Sequence, residues 1–232
     1  INAGIEGQST LGHIYKFEVG FPKLKGFKPN YFIFYVGIND HIISKDSDKS
    51  KDGHVLNPSI NERFKDNIKS RSIFYDLLRK TKHKYYNKGN KVVYDFNNAL
   101  KLKGEKDNFK FLKYEDALKF YNINQIKKEN ELFIKRYLSN IDKLKKYSNL
   151  FNAKAVFINQ LMSDGNHNKK LFILNQSLIE HCKKKNYYCI DLAKKLDGKK
   201  EYWWDGIHTT PIGSEKIANL IYPELKSFLK KN

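Results

Sequence analysis

A three-layer α/β/α sandwich around a parallel sheet is the fold class this sequence predicts, and three observations predict it. Short β-rich apolar runs alternate with longer segments of helical periodicity, the connectivity that builds a parallel sheet covered by helices. The 232 residues are enough to bury a full core in one domain. No internal repeat and no Pro/Gly/Ser-rich linker divides the chain, so residues 1–232 are read as a single domain.

The elements follow in order. Ile1-Asn2-Ala3-Gly4-Ile5-Glu6-Gly7-Gln8-Ser9-Thr10 reads as a strand end running through two glycines into a helix over residues 10–18. Tyr31-Phe32-Ile33-Phe34-Tyr35-Val36 is a buried strand that breaks at Gly37-Ile38-Asn39-Asp40 and so delivers Asn39 at its C-terminal end. Further strands are predicted at 153–159 and 187–192, and helices at 72–82, 124–150, 169–184 and 211–229. The 124–150 helix carries Ile134, Tyr137, Leu138, Ile141 and Leu144 on one face, the spacing of a helix packed on a sheet. The last helix repeats this with Ile217, Leu220, Ile221, Leu225, Phe228 and Leu229.

Residues 41–121 form an insertion rich in Lys, Asn, Tyr and Phe. It leaves the first strand at the end where ligands bind in open α/β sheets, which suits a lid or substrate platform. Tyr85, Tyr86, Tyr94, Phe96, Phe109 and Phe111 offer flat apolar faces for a sugar, although such aromatics more often fill a subsidiary core.

The formal charge of +19 invites a nucleic-acid reading, and the residue types oppose it. The basic residues are nearly all Lys, with Arg only at 63, 71, 79 and 136, whereas phosphate and base readers favour the bidentate Arg fork. No nucleic-acid motif is present, so no specific nucleic acid is expected as a partner. The lysines form a solvated surface that attracts anionic polymers or a membrane surface through its field. No apolar run reaches membrane-spanning length.

Chemistry concentrates in Trp204-Asp205-Gly206-Ile207-His208-Thr209-Thr210-Pro211. An Asp three residues before a His can accept the Nδ1 proton, fix the tautomer and direct Nε2 at a nucleophile. Thr210 is a good N-cap and Pro211 a good first helical residue, so His208 stands at the mouth of the closing helix. Alone, Asp-x-x-His is a common surface turn. Its order after Gly7 and Asn39 gives it weight.

Together these segments resemble the SGNH (GDSL-type) hydrolase family: Gly7 matches its second block, Asn39 in Gly37-Ile38-Asn39-Asp40 its third, and Asp205 with His208 its fifth. The resemblance implies a flavodoxin-like sandwich and a serine esterase. In it His208 is general base and then acid, Asp205 is its orienter, and Gly7 and Asn39 are two of three oxyanion donors. The third donor and the nucleophile belong to a Gly-Asp-Ser turn on the family's first strand. This sequence contains no Gly-Asp-Ser. The expectation is therefore that the first strand and its serine lie upstream of Ile1, and that this chain alone is inactive. Ser9, two residues past Gly7, reads as a helix cap and not as a substitute nucleophile.

The expected activity is hydrolysis of a carbohydrate or lipid ester through an acyl-serine, with a small-molecule or glycan ester as substrate and no metal or organic cofactor. An O-acetyltransferase of the same fold and a non-catalytic binder of anionic polymer are the rivals. Gln160, at the end of the 153–159 strand, borders the expected active site. Asp164-Gly165-Asn166-His167 reads as a loop following that strand, and Cys182 and Cys189 as buried thiols by default, with a disulfide between a helix end and the next strand as the alternative.

Overall fold

The computed structural model describes residues 8–42 and 110–230. Gly7, the 72–82 helix and the aromatics from Tyr85 to Phe109 lie outside the described residues. Three strands form one parallel sheet in chain order: β1 (Tyr31–Val36), β2 (Lys154–Asn159) and β3 (Tyr188–Ile190). β1 pairs with β2 from Tyr31 opposite Lys154 to Val36 opposite Asn159, and β2 pairs with β3 from Val156 opposite Tyr188 to Ile158 opposite Ile190. Parallel neighbours need a long crossover. Here α5 (Glu131–Leu150) leads into β2 and α6 (Lys169–Lys185) leads into β3.

The strand pleat sorts side chains between two cores. Ala155 and Phe157 of β2 join Phe32, Phe34 and Val36 of β1 in one cluster with Tyr137, Ile141 and Leu144 of α5 and Leu174 and Leu178 of α6. Val156 and Ile158 point the other way, into a cluster with Ile190, Trp203 and the apolar face of α8 (Pro211–Lys230). The chain is thus a mixed α/β protein with a parallel sheet.

Several boundaries differ from expectation, each for a local reason. The helix at residues 10–18 is α1 (Thr10–Tyr15), which continues as a π-helical turn (Lys16–Gly20) that aims Phe17 into the core beside Phe21 and Phe32. The segment at 124–150 is two helices, α4 (Ile123–Glu129) and α5. Asn130 separates them, its side-chain amide donating back to the Ile126 carbonyl at 2.9 Å, a local bond that competes with helix continuation. The 187–192 strand shortens to Tyr188–Ile190 because Asp191 caps α7 (Leu192–Lys195).

The insertion ends earlier than residue 121. Leu112 bridges Gly165, and α3 (Tyr114–Phe120) places Ala117 against Phe172 and Ile173 of α6, with Tyr121 beside them. That stretch belongs to the core. Phe111 packs against the second cluster. Leu229 is 40% exposed and stands off the apolar face assigned to it. Cys182 and Cys189 are joined in a disulfide that staples the end of α6 to β3, which replaces the buried-thiol reading.

Leu144 is fully buried at the centre of the first cluster. Leu144→Ala is expected to lower unfolding stability by about 2–5 kcal/mol through lost transfer energy and an unfilled cavity. Urea denaturation reads this as a lower midpoint at unchanged slope, and a loss under about 1 kcal/mol would contradict the packing described.

Candidate active site

All the singled-out residues that the structure describes gather at the C-terminal rim of the sheet. β1 ends at Val36, and Gly37 turns the chain with φ +127°, a conformation L side chains rarely adopt. A Cβ there would also stand 3.3 Å from both the Asn175 Oδ1 and a Leu171 methyl. The turn feeds α2 (Ile38–Ile42), so Asn39 sits in a helical first turn and not on the strand end itself. Its Nδ2 donates to the Gln8 carbonyl at 3.0 Å. Asn39 therefore touches the residue that follows Gly7.

A second contact binds the same two segments more firmly. Asp40 is buried at 5% exposure, and its carboxylate accepts from the Thr10 backbone N–H at 3.1 and 3.2 Å and from the Thr10 hydroxyl at 2.5 Å. Asn140 of α5 donates to that hydroxyl at 3.0 Å. The buried Tyr137 hydroxyl lies close by, and burial together with the Asp40 charge pushes its pKa far up. Ser9 is buried as the N-cap of α1, its Oγ accepting from the Leu11 N–H at 3.2 Å, in keeping with the capping role read from the sequence.

Sequence reading passed over Asp40, Thr10 and Asn140. A signal was present for Asn140, a polar residue set in the apolar stripe between Tyr137 and Leu144. Such a residue is tolerated only where it finds partners.

Gln160 follows β2, and its Oε1 accepts from the Ile38 N–H at 2.9 Å. Its carbonyl accepts from Asn175 Nδ2 at 2.7 Å. Three residues on, the Ser163 N–H donates to the Gly206 carbonyl at 3.0 Å. The loop after β2 thus spans from the Asn39 turn to the Asp205–His208 turn. Asp164-Gly165-Asn166-His167 lies in this loop, as the sequence implies. Burial raises the Asp164 carboxyl, with His167, its own N–H and His41 pulling the other way. Burial lowers the His41 imidazole, whose Nδ1 meets the Ile38 carbonyl.

The dyad itself sits in a narrow hairpin. Trp203 pairs antiparallel with Thr209, and the Trp204 N–H donates to the His208 carbonyl at 2.8 Å. Inside that hairpin His208 Nδ1 lies 2.8 Å from Asp205 Oδ2. Asp205 Oδ1 accepts from the N–H groups of Ile207 at 2.7 Å and His208 at 2.8 Å, which fixes the carboxylate before it meets the ring.

The base of the hairpin is held by the start of α8. The Thr210 N–H donates to the Tyr202 carbonyl at 2.9 Å, and Thr210 Oγ1 accepts from the Gly213 N–H at 3.1 Å as the expected N-cap. Only glycine fits at 213, where a Cβ would come within 2.1 Å of the Tyr202 carbonyl oxygen.

No family model matches the chain, and no curated protein or solved structure matches it either. The resemblance therefore rests on the residues of the sequence alone. Among the described residues no group of three or more His, Cys, Asp or Glu is arranged to hold a metal ion.

Burial alone would raise the Asp205 carboxyl. The His208 ring and the two backbone N–H groups outweigh it and hold the pKa at about 2. A folded-state value below that of the unfolded carboxyl means the contact stabilises the fold above the unfolded pKa and is lost as pH falls towards 2. Carbon-detected NMR of the Asp205 carboxyl should show a midpoint near 2. A midpoint at the ordinary value near 4 would mean that the three hydrogen bonds do not persist in solution.

Proposed function

We propose that this protein is an SGNH-type esterase with a three-layer, flavodoxin-like sandwich, cleaving a carbohydrate or lipid ester by acyl transfer through an acyl-serine. The observation that carries the reading is the 2.8 Å contact between His208 Nδ1 and an Asp205 carboxylate already bound by two backbone N–H groups. A carboxylate so held sets the ring tautomer and stabilises the imidazolium formed when the ring takes a proton. The position of Asn39 at the same rim, joined to the dyad loop through Gln160 and Ser163, supports its assignment as an oxyanion donor. One amide hydrogen of Asn39 is engaged by Gln8; the amide carries two, and the second is the one assigned to the oxyanion.

The proposed mechanism assigns a role to each residue. In this reading His208 takes the hydroxyl proton of a nucleophilic serine as that oxygen attacks the ester carbonyl. The Asn39 amide and the Gly7 N–H meet the oxyanion of the tetrahedral intermediate. His208 returns the proton to the departing alcohol, and water repeats the sequence on the acyl-serine. A small acyl group on a carbohydrate is the preferred substrate.

In the full-length gene product, His208→Ala is expected to lower kcat for p-nitrophenyl acetate by roughly 10⁴ to 10⁶, with Asp205→Asn costing less. Near-wild-type turnover in His208→Ala would sink the mechanism. So would a locus in which an initiator Met directly precedes Ile1. Product analysis with acetylated sugar separates free acetate, the esterase outcome, from acetyl moved to a second sugar, the transferase outcome.

Asn39 gives a sharper test. If its amide meets the oxyanion, Asn39→Ala lowers kcat by roughly 10² to 10³ and moves KM little. If it only joins α2 to Gln8, the same change lowers the melting temperature and leaves turnover per folded molecule intact. Measuring kcat, KM and Tm on one preparation decides between the two.

A further inference from the structure

The opposite rim of the sheet gathers lysines from separate elements, and the topology puts them there. In a parallel sheet, segments entering the strands and the C-termini of helices that precede them share one end. Lys25 and Lys28 lie on the loop entering β1, and the carbonyl of Asn30 in that loop accepts from the Lys154 N–H at 2.9 Å. Lys145 and Lys146 lie just ahead of the last turn of α5. Burial lowers the Lys145 ammonium, and the charge of Lys154 lowers it further. Lys183, Lys184 and Lys185 end α6 and are all exposed. α8 arrives at the same rim, since Phe228 stacks on Tyr188 at 4.0 Å and meets Tyr31 at 6.0 Å, the first residues of β3 and β1. It brings exposed Lys226 and Lys230.

The nearby carboxylates are already engaged. Glu18 accepts from the Tyr147 hydroxyl, Asp142 from Tyr187 and against His181, and Glu224 pairs with Lys195. The dyad rim, in contrast, mixes its lysines with Glu115, Asp116, Asp164, Asp191, Asp197 and Asp205. Three large apolar side chains stand exposed among the lysines: Leu24 at 50%, Leu150 at 68% and Leu229 at 40%. Phe151, next to Leu150, packs on both Phe21 and Phe27, which bracket Leu24.

From this juxtaposition we propose that the lysine rim, with Leu24, Leu150 and Leu229 at its surface, docks on a bilayer rich in anionic phospholipid. Lysines answer the headgroup charge while isolated apolar side chains enter the interface, the pairing that distinguishes a bilayer partner from a soluble polyanion. No described helix is long and apolar enough to cross a membrane, so the contact is peripheral. The dyad faces away from the bilayer across a strand length of about 20 Å. The inference stands independently of the esterase reading.

The test is co-sedimentation of the full chain with phosphatidylcholine vesicles containing or lacking phosphatidylglycerol. Binding is expected to need the anionic lipid and to weaken with added salt. Lys183→Gln and Lys184→Gln should each weaken it about fivefold, and Leu150→Ser several-fold, while Lys113→Gln, beside the Leu112–Gly165 bridge, and Lys199→Gln at the other rim leave it unchanged. Melting temperatures confirm that the variants fold. Equal binding to neutral vesicles overturns the proposal, as do equal losses from both rims. Tight binding to soluble polyphosphate with Leu150→Ser neutral also overturns it and assigns the rim to a polyanion.

Discussion

The buried Asp40 carboxylate is the contact on which the rest of the candidate site depends. A charge taken out of water costs several kcal/mol unless hydrogen bonds replace its hydration. Here Thr10 contributes to that replacement through backbone N–H and hydroxyl, and the hydroxyl is oriented by Asn140. These are charge-assisted bonds in a low dielectric, the strong class. The Thr10 contacts to Asp40 bring the start of α1 against the start of α2. That approach places the neighbours Gln8 and Asn39 in contact, so the proposed oxyanion donor is positioned as a consequence of satisfying a buried charge. α5 is committed as well, because Asn140 is fixed in the apolar stripe that packs on β1 and β2.

The other half of the site is positioned by a different device, a narrow hairpin held between two backbone anchors. Tyr202 carries Thr210 and approaches Gly213 too closely for any side chain, while Ser163 holds Gly206 at the tip. Asn159 supports this half from below. It is fully buried at the end of β2, where it donates to Asp191 at 2.8 Å and accepts from the Ala193 N–H at 2.9 Å. The loop from Gln160 to Ser163 is the bridge between the halves. The Gln160 side chain makes the reach to the Asn39 half and a backbone contact from Ser163 makes the reach to the hairpin.

The strands were legible because each is an unbroken apolar run ending in a breaker, and β1 matches its expected limits at both ends. The dyad and its cap were legible because Asp205, His208, Thr210 and Pro211 act within one turn, where sequence spacing is already geometry. What escaped was long-range or side-chain determined. Asp40 and Thr10 are separated by thirty positions, and nothing local announces that an exposed-looking acid pairs with a helix start. The break at Asn130 depends on a side chain choosing the Ile126 carbonyl over solvent, a choice periodicity does not register. The disulfide required the end of α6 and the middle of β3 to be brought to a 6.2 Å Cα separation, and spacing alone does not fix that.

The same topology that builds the site also polarises the surface. Lysines at the last turn of a helix are locally favourable because they face the negative end of the helix dipole. In α6 and α8 that preference places charge in the last turn, α5 carries Lys145 and Lys146 just ahead of its own last turn, and the parallel connectivity sends these helix ends to the rim remote from the dyad. A composition that looks uniformly basic along the chain becomes directional in the fold. Charge of one sign gathered on one face sets up a field that orients the molecule before contact, since a surface potential acts over roughly a Debye length of 8–10 Å. An anionic surface meeting this protein would therefore engage the lysine rim first and leave Asp205 and His208 turned outward, towards whatever substrate the other rim admits.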